Sequence, residues 1–307
     1  VKMDNEVDLY LLNKSNQKNN LYKIFVINKL IISLFFYLKY YLKINLSIFL
    51  RMYLKYFLKI EKYDLFHFHF LNHKMIYLIE NLKYFDKKII VTFHGADIQV
   101  RKEINYGFRI NKLYEKLLKN IILDIDYFFS ISKSIKRDII NMGVDEKKIY
   151  LSPNSVCLEK INQFKNQTKS IKEKIQIITV TRYAKSTKGL DLIPKISEIL
   201  LKNNINFEWS LVGKDMDKVK ELKDMKKYNN NFKFYGNIQN FEEEIFPNSE
   251  LIKIYKCNHL YVGLSRIESF GISMLEALAC GLPVLSFNIK GANELIVNNY
   301  NGKLVDK

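Results

Sequence analysis

One stretch constrains this chain more than any other: Tyr261 to Ser286, YVGLSRIESFGISMLEALACGLPVLS. Leu260 to Leu264 is an apolar run of strand length, bounded by Ser265. Glu268, Ser269, Phe270 and Gly271 follow, and ISMLEALAC then spaces its apolar residues as a helix does. Gly281 and Pro283 stop that helix ahead of a second apolar run, Val284 to Phe287. The pattern predicts strand, tight loop, helix, strand. Glu268 would stand at the carboxyl end of the first strand, and Glu276 about one and a half turns into the helix.

Such a unit can hold a sugar nucleotide. Backbone N–H groups around Ser269, Phe270 and Gly271 would point out of the helix N-terminus toward a phosphate. Glu276 can reach back to ribose hydroxyls, as the acidic residue of a dinucleotide fold does, and Glu268 can accept from sugar hydroxyls. Acidic residues early in a helix also favour its dipole with no ligand at all, and this stretch alone leaves that alternative open.

The rest of the chain supplies strands for one sheet or two. Val7 to Leu12, Tyr63 to Phe70, Lys88 to Phe93 and Tyr127 to Ile131 read as strands. Helices are expected over Phe108 to Ile122 and Lys133 to Met142. In the second half Ile175 to Thr181, Phe207 to Val212 and Phe232 to Tyr235 are strand-like, and a helix opens at Gly189 and runs to about Lys202. Strands alternating with helices make an α/β layer structure with parallel sheets, where function gathers beyond the strand carboxyl ends. His94, Asp97, Ser132 and Asn154 all stand at such ends. With 307 residues there is room for two domains. The polar stretch Asn162 to Lys174 reads as the linker between them, dividing the chain into 1–165 and 166–307.

The formal charge of +17 asks for an anionic partner: a nucleotide, an acidic lipid surface or nucleic acid. Nucleic acid is not expected, because the basic residues lack the interleaved glycines and aromatic motifs of a single-strand binder. From Leu9 to Ile60 there are nine basic residues and no acidic one, and the longest uncharged stretch is nine residues. A spanning helix needs about 20. Two helices broken near Asn45 and Ser47 fit better, each with a basic edge and a Leu, Phe and Tyr body. They predict either contact of residues 29–59 with anionic membrane or a core-packing pair whose lysines face water. Cys157, Cys257 and Cys280 have no CxxC spacing, which points to reduced thiols and a cytoplasmic chain. His67, His69 and His73 lie close together, but nothing completes a metal site around them, and none is expected.

Two cations complete the second half. Arg182 stands at the end of Ile175 to Thr181, and Lys188 six residues on. A guanidinium fork and an ammonium beside a helix start can clamp a diphosphate; alone, the pair is equally a solvated loop. Four strand ends then bring Arg182, Lys188, Gly213, Gly236, Glu268 and Glu276 to one sheet edge, an arrangement that scattered surface charge does not explain.

These residues resemble glycosyltransferase family 4, the retaining enzymes of GT-B fold. TRYAKSTKG followed by SRIESFGISMLEALACGLPVLS is similar to the family's donor domain. Glu268 to Glu276 matches its E-x7-E motif, Ser265 its S-x-x-E, and Arg182 with Lys188 its diphosphate-binding pair. Asp64 to His69 looks like its D-x-x-H-x-H strand and His94 to Asp97 like its H-G-x-D loop. Pro153-Asn154 resembles its P-N-G-V stretch, and Gly291 to Glu294 with Asn301-Gly302 resembles its closing segments.

The resemblance implies two Rossmann-like domains facing across a cleft, an acceptor domain over 1–165 and a donor domain over 166–307. It implies transfer of a sugar from a nucleoside-diphosphate sugar to a hydroxyl of a glycan or lipid-linked acceptor, with retention and with no metal or other cofactor. Arg182 and Lys188 would stabilise the leaving diphosphate, Glu276 hold the ribose, and Glu268 the sugar. Gly213, Ser269, Phe270 and Gly271 would join them in donor binding. His94 would face sugar and acceptor, with Asp97 and Asn154 on the acceptor side. The expected setting is cell-surface polysaccharide synthesis at the inner membrane face. A sugar-nucleotide epimerase of the same fold and a non-catalytic membrane binder are the alternatives; the first lacks a clear acid–base set, and the second leaves the two glutamates unexplained. The family's usual opening strand with its glycine-rich loop is not found before Val7, and its closing helices are not found before Lys307. Thr181 and Ser155 replace two customary glycines. These departures lead to the expectation of a chain truncated at both ends, with weak turnover.

Overall fold

The run Lys88–Phe93 shows why this chain builds parallel sheets. Ile89, Val91 and Phe93 on one side are fully buried, and Thr92 on the other is nearly so. A strand covered on both faces belongs inside a sheet with helices above and below. The computed structural model describes residues 9–11, 24–26, 29–165, 174–238 and 247–306. These form two compact units, one of Val1–Val100, Gly107–Ser130 and Asp138–Tyr150, the other of Arg101–Tyr106, Ile131–Arg137 and Leu151–Lys307.

In the first unit, strands β1 (Leu9–Leu11) and β2 (Ile24–Val26) pair in parallel. The remainder of the strand expected over Val7 to Leu12 lies outside the described residues. Strands β3 (Leu65–His69), β4 (Lys88–Phe93), β5 (Tyr127–Ser130) and β6 (Ile149–Leu151) form a parallel sheet in that order. Helices α1 (Lys29–Tyr40), α2 (Ser47–Tyr56), α3 (His73–Lys83) and α4 (Lys112–Ile121) follow the chain, and α5 (Lys133–Ile140), whose first five residues fall in the second unit, leaves β5. The break near Asn45 and Ser47 is where the sequence pattern puts it: Asn45 Oδ1 accepts from the Ser47 N–H and hydroxyl. Helices α3 and α4 each start on an asparagine whose side chain accepts two first-turn N–H groups, Asn72 and Asn111.

The second unit holds strands β7 (Ile175–Val180), β8 (Phe207–Val212), β9 (Phe232–Gly236), β10 (Leu260–Gly263), β11 (Val284–Phe287) and β12 (Gly302–Val305). They pair in parallel in the order β12-β11-β10-β7-β8-β9. Its helices are α6 (Leu158–Asn162), α7 (Lys185–Lys188), α8 (Ile193–Lys202), α9 (Ser249–Lys256), α10 (Ile272–Ala279) and α11 (Ala292–Leu295). Helix α6 takes up the start of the expected linker, of which residues 166–173 lie outside the described residues. The helix expected to open at Gly189 does so, as a 3-10 turn over Leu190–Leu192 that runs directly into α8 and ends at Lys202. Gly189 is left-handed, with φ of +64°, and separates α7 from α8, whose first turn carries Pro194.

The centre of this sheet is pinned by one buried hydroxyl. Thr179 Oγ1 donates to the Val262 carbonyl at 2.6 Å and accepts from Trp209 Nε1 at 3.1 Å, linking β7 to β10 and β8. Cys157, Cys257 and Cys280 are free thiols, and burial pushes Cys280 up to about 12. Among the described residues no helix is long and apolar enough to cross a membrane. Replacing Thr179→Val keeps the shape but leaves the Trp209 N–H buried and unpaired. It should cost about 1–3 kcal/mol in urea unfolding, while Thr179→Ser should cost less. Equal losses would show that the hydroxyl is not the pin.

Candidate functional site

In the second unit the chain steps from β7 outward to β8 and β9, then returns to lay β10 on the opposite side of β7 and continues to β11 and β12. The order reverses between β7 and β10, so the loops leaving their carboxyl ends diverge and open a crevice. Arg182 leaves β7 there, and Glu268 follows β10. Glu268 is not at the strand end as expected, but in the loop beyond it, since β10 stops at Gly263.

Backbone packing sets both loops. The Thr181 N–H donates to the Val212 carbonyl and the Tyr183 N–H to the Lys214 carbonyl, both across to the β8 side. A Cβ on Gly213 would lie 2.0 Å from the Thr181 oxygen, so only glycine lets the two strand ends meet. Gly189 does the same for the other loop, since a Cβ there would lie 2.0 Å from the Leu264 oxygen. That contact brings α7 and Lys188 against the end of β10. Lys188 Nζ then lies 2.5 Å from Glu268 Oε1, which also accepts the Ser265 hydroxyl at 2.7 Å. The Arg182 side chain is exposed and takes no hydrogen bond or ion pair among the described residues.

A residue missed in the sequence holds this arrangement. Arg266 meets Asp191 bidentately at 2.8 and 2.7 Å and donates to the Lys185 and Ser186 carbonyls, each at 3.1 Å. Its own N–H donates to the Thr187 carbonyl. Arg266 therefore staples α7, and with it Lys188, to the β10 loop. Its place two residues before Glu268 was visible; its partner, 75 positions away, was not.

Gly271, with φ of +93°, caps α10 without a side chain to accept from its first turn, where the Met274 N–H donates to the Gly271 carbonyl at 3.0 Å. Phe270 is buried and packs inward, leaving its backbone rather than its ring for a ligand. Glu276, 7% exposed, accepts the Tyr255 hydroxyl at 2.9 Å. Tyr255 also donates to the Ser273 carbonyl, and Tyr261 Oη lies 2.9 Å from Ser273 Oγ and donates to Val180 O at 3.4 Å. This chain of hydroxyls ties α10 to the end of β7, beside Arg182. Burial holds the Tyr261 phenol above its ordinary range, and the carboxylates of Glu268 and Glu276 raise it further.

In the first unit His94 follows β4, which stops at Phe93. Asp97, fully buried, accepts the N–H groups of His94, Gly95 and Leu71 at 3.1, 2.8 and 3.1 Å. The Asp97 carboxylate thus lies beneath the loop that presents His94, not on its surface, and burial pushes it up to about 6. His94 Nε2 lies 3.2 Å from His69 Nδ1, and His67 Nε2 lies 2.7 Å from Thr92 Oγ1. Burial lowers His94, with the charge of His69 adding to it, so its ring is neutral near pH 7. Burial, then the charges of His69 and His94, pushes His67 down to about 4. Asn154 follows β6 and is half-buried. Among the described residues no three His, Cys, Asp or Glu side chains are grouped to hold a metal ion.

The family model described as Glycosyltransferase Family 4 matches residues 1–160, and that of Glycosyl transferases group 1 matches 160–307. An uncharacterized glycosyltransferase of Methanocaldococcus jannaschii is 28% identical over 245 residues, covering 77% of this chain and 59% of the relative. The amylovoran biosynthesis glycosyltransferase of Erwinia amylovora is 25% identical over 234 residues, covering 74% and 53%. A solved Anabaena protein in complex with UDP and glucose shares the fold at a TM-score of 0.60 and 18% identity, covering 81% of this chain and 66% of that one. The chain spans about half the length of the curated relatives it matches.

Burial pushes Glu276 up to about 7 from an ordinary 4.5, against the pull of the Tyr255 hydroxyl. The folded protein therefore holds that proton more tightly than the unfolded chain. The cost of ionising it is absent below about pH 4.5 and complete near pH 7, so stability falls as pH rises across that window, by about 3 kcal/mol at most. Glu276→Gln should flatten the fall in urea midpoint between pH 4.5 and 7, leaving the smaller slope from Asp97. An unchanged slope would place the proton elsewhere.

Proposed function

This chain belongs to glycosyltransferase family 4, and we propose that it moves a sugar from a nucleoside-diphosphate sugar to a hydroxyl of a glycan or lipid-linked acceptor. Transfer proceeds with retention at the anomeric carbon and without a metal ion. Residues 166–307 take the donor and 1–165 the acceptor. The product is a surface polysaccharide, by likeness to the amylovoran enzyme, made where residues 29–59 meet an anionic membrane.

The observation that carries this reading is the reversal of strand order between β7 and β10, with Arg182, Lys188 and Glu268 on the loops that leave it. As the bond between the anomeric carbon and the diphosphate oxygen breaks, negative charge collects on the diphosphate. Arg182 and Lys188 supply fixed positive charge for it, the part a metal ion plays in other phosphate sites. Gly213 lets the backbone come close, and the N–H groups at Ser269, Phe270 and Gly271 add their dipole.

Glu268 accepts from sugar hydroxyls, and Glu276 accepts from the ribose. Glu268 Oε1 is occupied by Lys188 and Ser265, which suits a positioning carboxylate better than a nucleophile. The acceptor oxygen bonds to the anomeric carbon on the face the diphosphate leaves, and its proton passes to the departing phosphate. His94, neutral and held by Asp97 through the loop, serves the sugar and acceptor, with Asn154 on the acceptor side.

Thermal shift against UDP-, GDP- and ADP-sugars tests the donor site. One nucleotide series at about 100 times its Kd should stabilise the protein by roughly 2.7 kcal/mol, and Glu276→Ala should lose the shift. Arg182→Ala should lower kcat by about 10²–10³-fold. No shift with any donor would overturn the reading. Ribose hydroxyls donating to Glu276 favour its ionised form, so affinity should also rise with pH through about 7.

A further inference from the structure

Helices α1 and α2 are apolar on the wrong side. A surface helix normally buries one apolar stripe and turns polar residues outward. In α1 the buried residues are Ile32 and Phe36, and Phe36 lies edge-on to Tyr77 and His73 of α3 at 6.1 and 6.0 Å. In α2 they are Leu50 and Leu54, with Ser47 Oγ 3.1 Å from the Tyr77 hydroxyl. Both helices are thus seated on α3.

The opposite faces are apolar as well. Leu30, Leu34, Tyr37 and Tyr41 recur at the spacing of one helical stripe, and all are exposed, Leu30 to 79%. In α2, Ile48, Phe49, Met52 and Tyr56 form a second exposed stripe, and Phe57 beyond it is 78% exposed. Two consecutive helices turning such stripes away from the same neighbour exceed the scattered apolar residues of an ordinary surface.

Charge selects the occupant. Between Leu30 and Ile60 there are five basic residues and no acidic one. Lys39 is spent on Glu80 at 2.7 Å, Arg51 lies over the Tyr84 ring at 3.9 Å, and Lys55 meets Glu61 at 3.0 Å. Lys43 and Lys59, both exposed and both at chain bends with positive φ, pair with no carboxylate among the described residues. The Lys43 ammonium donates to the Tyr40 carbonyl at 3.1 Å and so keeps its charge without a counter-ion among the described residues. Apolar stripes ending in such exposed cations match a leaflet whose acyl chains lie just below anionic phosphates.

We propose that the outward stripes of α1 and α2 insert into the interface of an anionic phospholipid leaflet, while Lys43 and Lys59 hold its phosphates. This gives the membrane contact of the proposed function a defined face and rests on that reading for its purpose; the binding itself does not depend on transferase chemistry.

Flotation of the full chain with phosphatidylcholine vesicles, with and without about one-third phosphatidylglycerol, tests it. The protein should float with the anionic vesicles only, and less at 1 M salt, where the Debye length is about 3 Å. Combined Leu34→Ser, Tyr37→Ser, Phe49→Ser and Met52→Ser should cut partitioning roughly a hundredfold, and Lys43→Glu with Lys59→Glu should also weaken it. Phe49→Trp gives a second readout that does not depend on the multiple variant folding. Trp209, the single natural tryptophan, is fully buried and stays silent, so a blue shift on adding anionic vesicles reports insertion at position 49. A serine variant that floats as well as wild type, a tryptophan that does not shift, or stripes that prove in sedimentation to join two copies would each overturn the proposal. Donor thermal shift on the same samples keeps this outcome separate, since it should persist whether or not the chain floats.

Discussion

Strand β7 has to pair with β8 on one side and β10 on the other, and the candidate site depends on that constraint. The two neighbours come from segments on opposite sides of the switch, so their loops cannot both cross above β7 and a crevice is left. Thr179, donating to Val262 and accepting from Trp209, binds all three strands at their middle and pairs its own buried hydroxyl and the buried Trp209 N–H. Glycines then close the strand ends. Without Cβ atoms, Gly213 and Gly189 let backbone meet backbone, and the charged residues on the loops come within reach of one another.

What lies in that crevice is electrostatically balanced rather than simply basic. Lys188 is matched by Glu268, and α7 is anchored through Arg266 and Asp191, while the exposed Arg182 side chain pairs with no carboxylate among the described residues. A dianionic diphosphate would therefore meet the exposed Arg182 and, in Lys188, a cation that must be shared with Glu268. Glu276, kept partly protonated by burial, adds little repulsion until a hydrogen-bonding partner draws it into the ionised form.

Much of this was legible in the sequence. Strands β4, β8 and β11 run over the expected residues because each is a short apolar run bounded by turn residues. The helical run expected from Gly189 begins there: Gly189, left-handed where two backbones approach closely, precedes a 3-10 turn, and α-helical geometry sets in at Ile193 beside Pro194. Helices α3 and α9 went unread although Asn72 and Asn248 cap them, and β12 is too short and mixed to announce itself. At the site, Lys188 and Glu268 were found by spacing. The burial of Asp97 under its own loop, the Arg266–Asp191 fork and the Tyr255–Glu276 bond are tertiary facts, set by what packs nearby rather than by any local pattern.

The most direct test of the donor-site assignment is a crystal structure of the chain with the nucleoside diphosphate that stabilises it best. The expected result is a diphosphate against Arg182 and Lys188 near the N-terminus of α10, with the ribose hydroxyls on Glu276 and Glu268 left for the sugar. A nucleotide bound away from the β7–β10 switch, or one whose ribose does not touch Glu276, would contradict it.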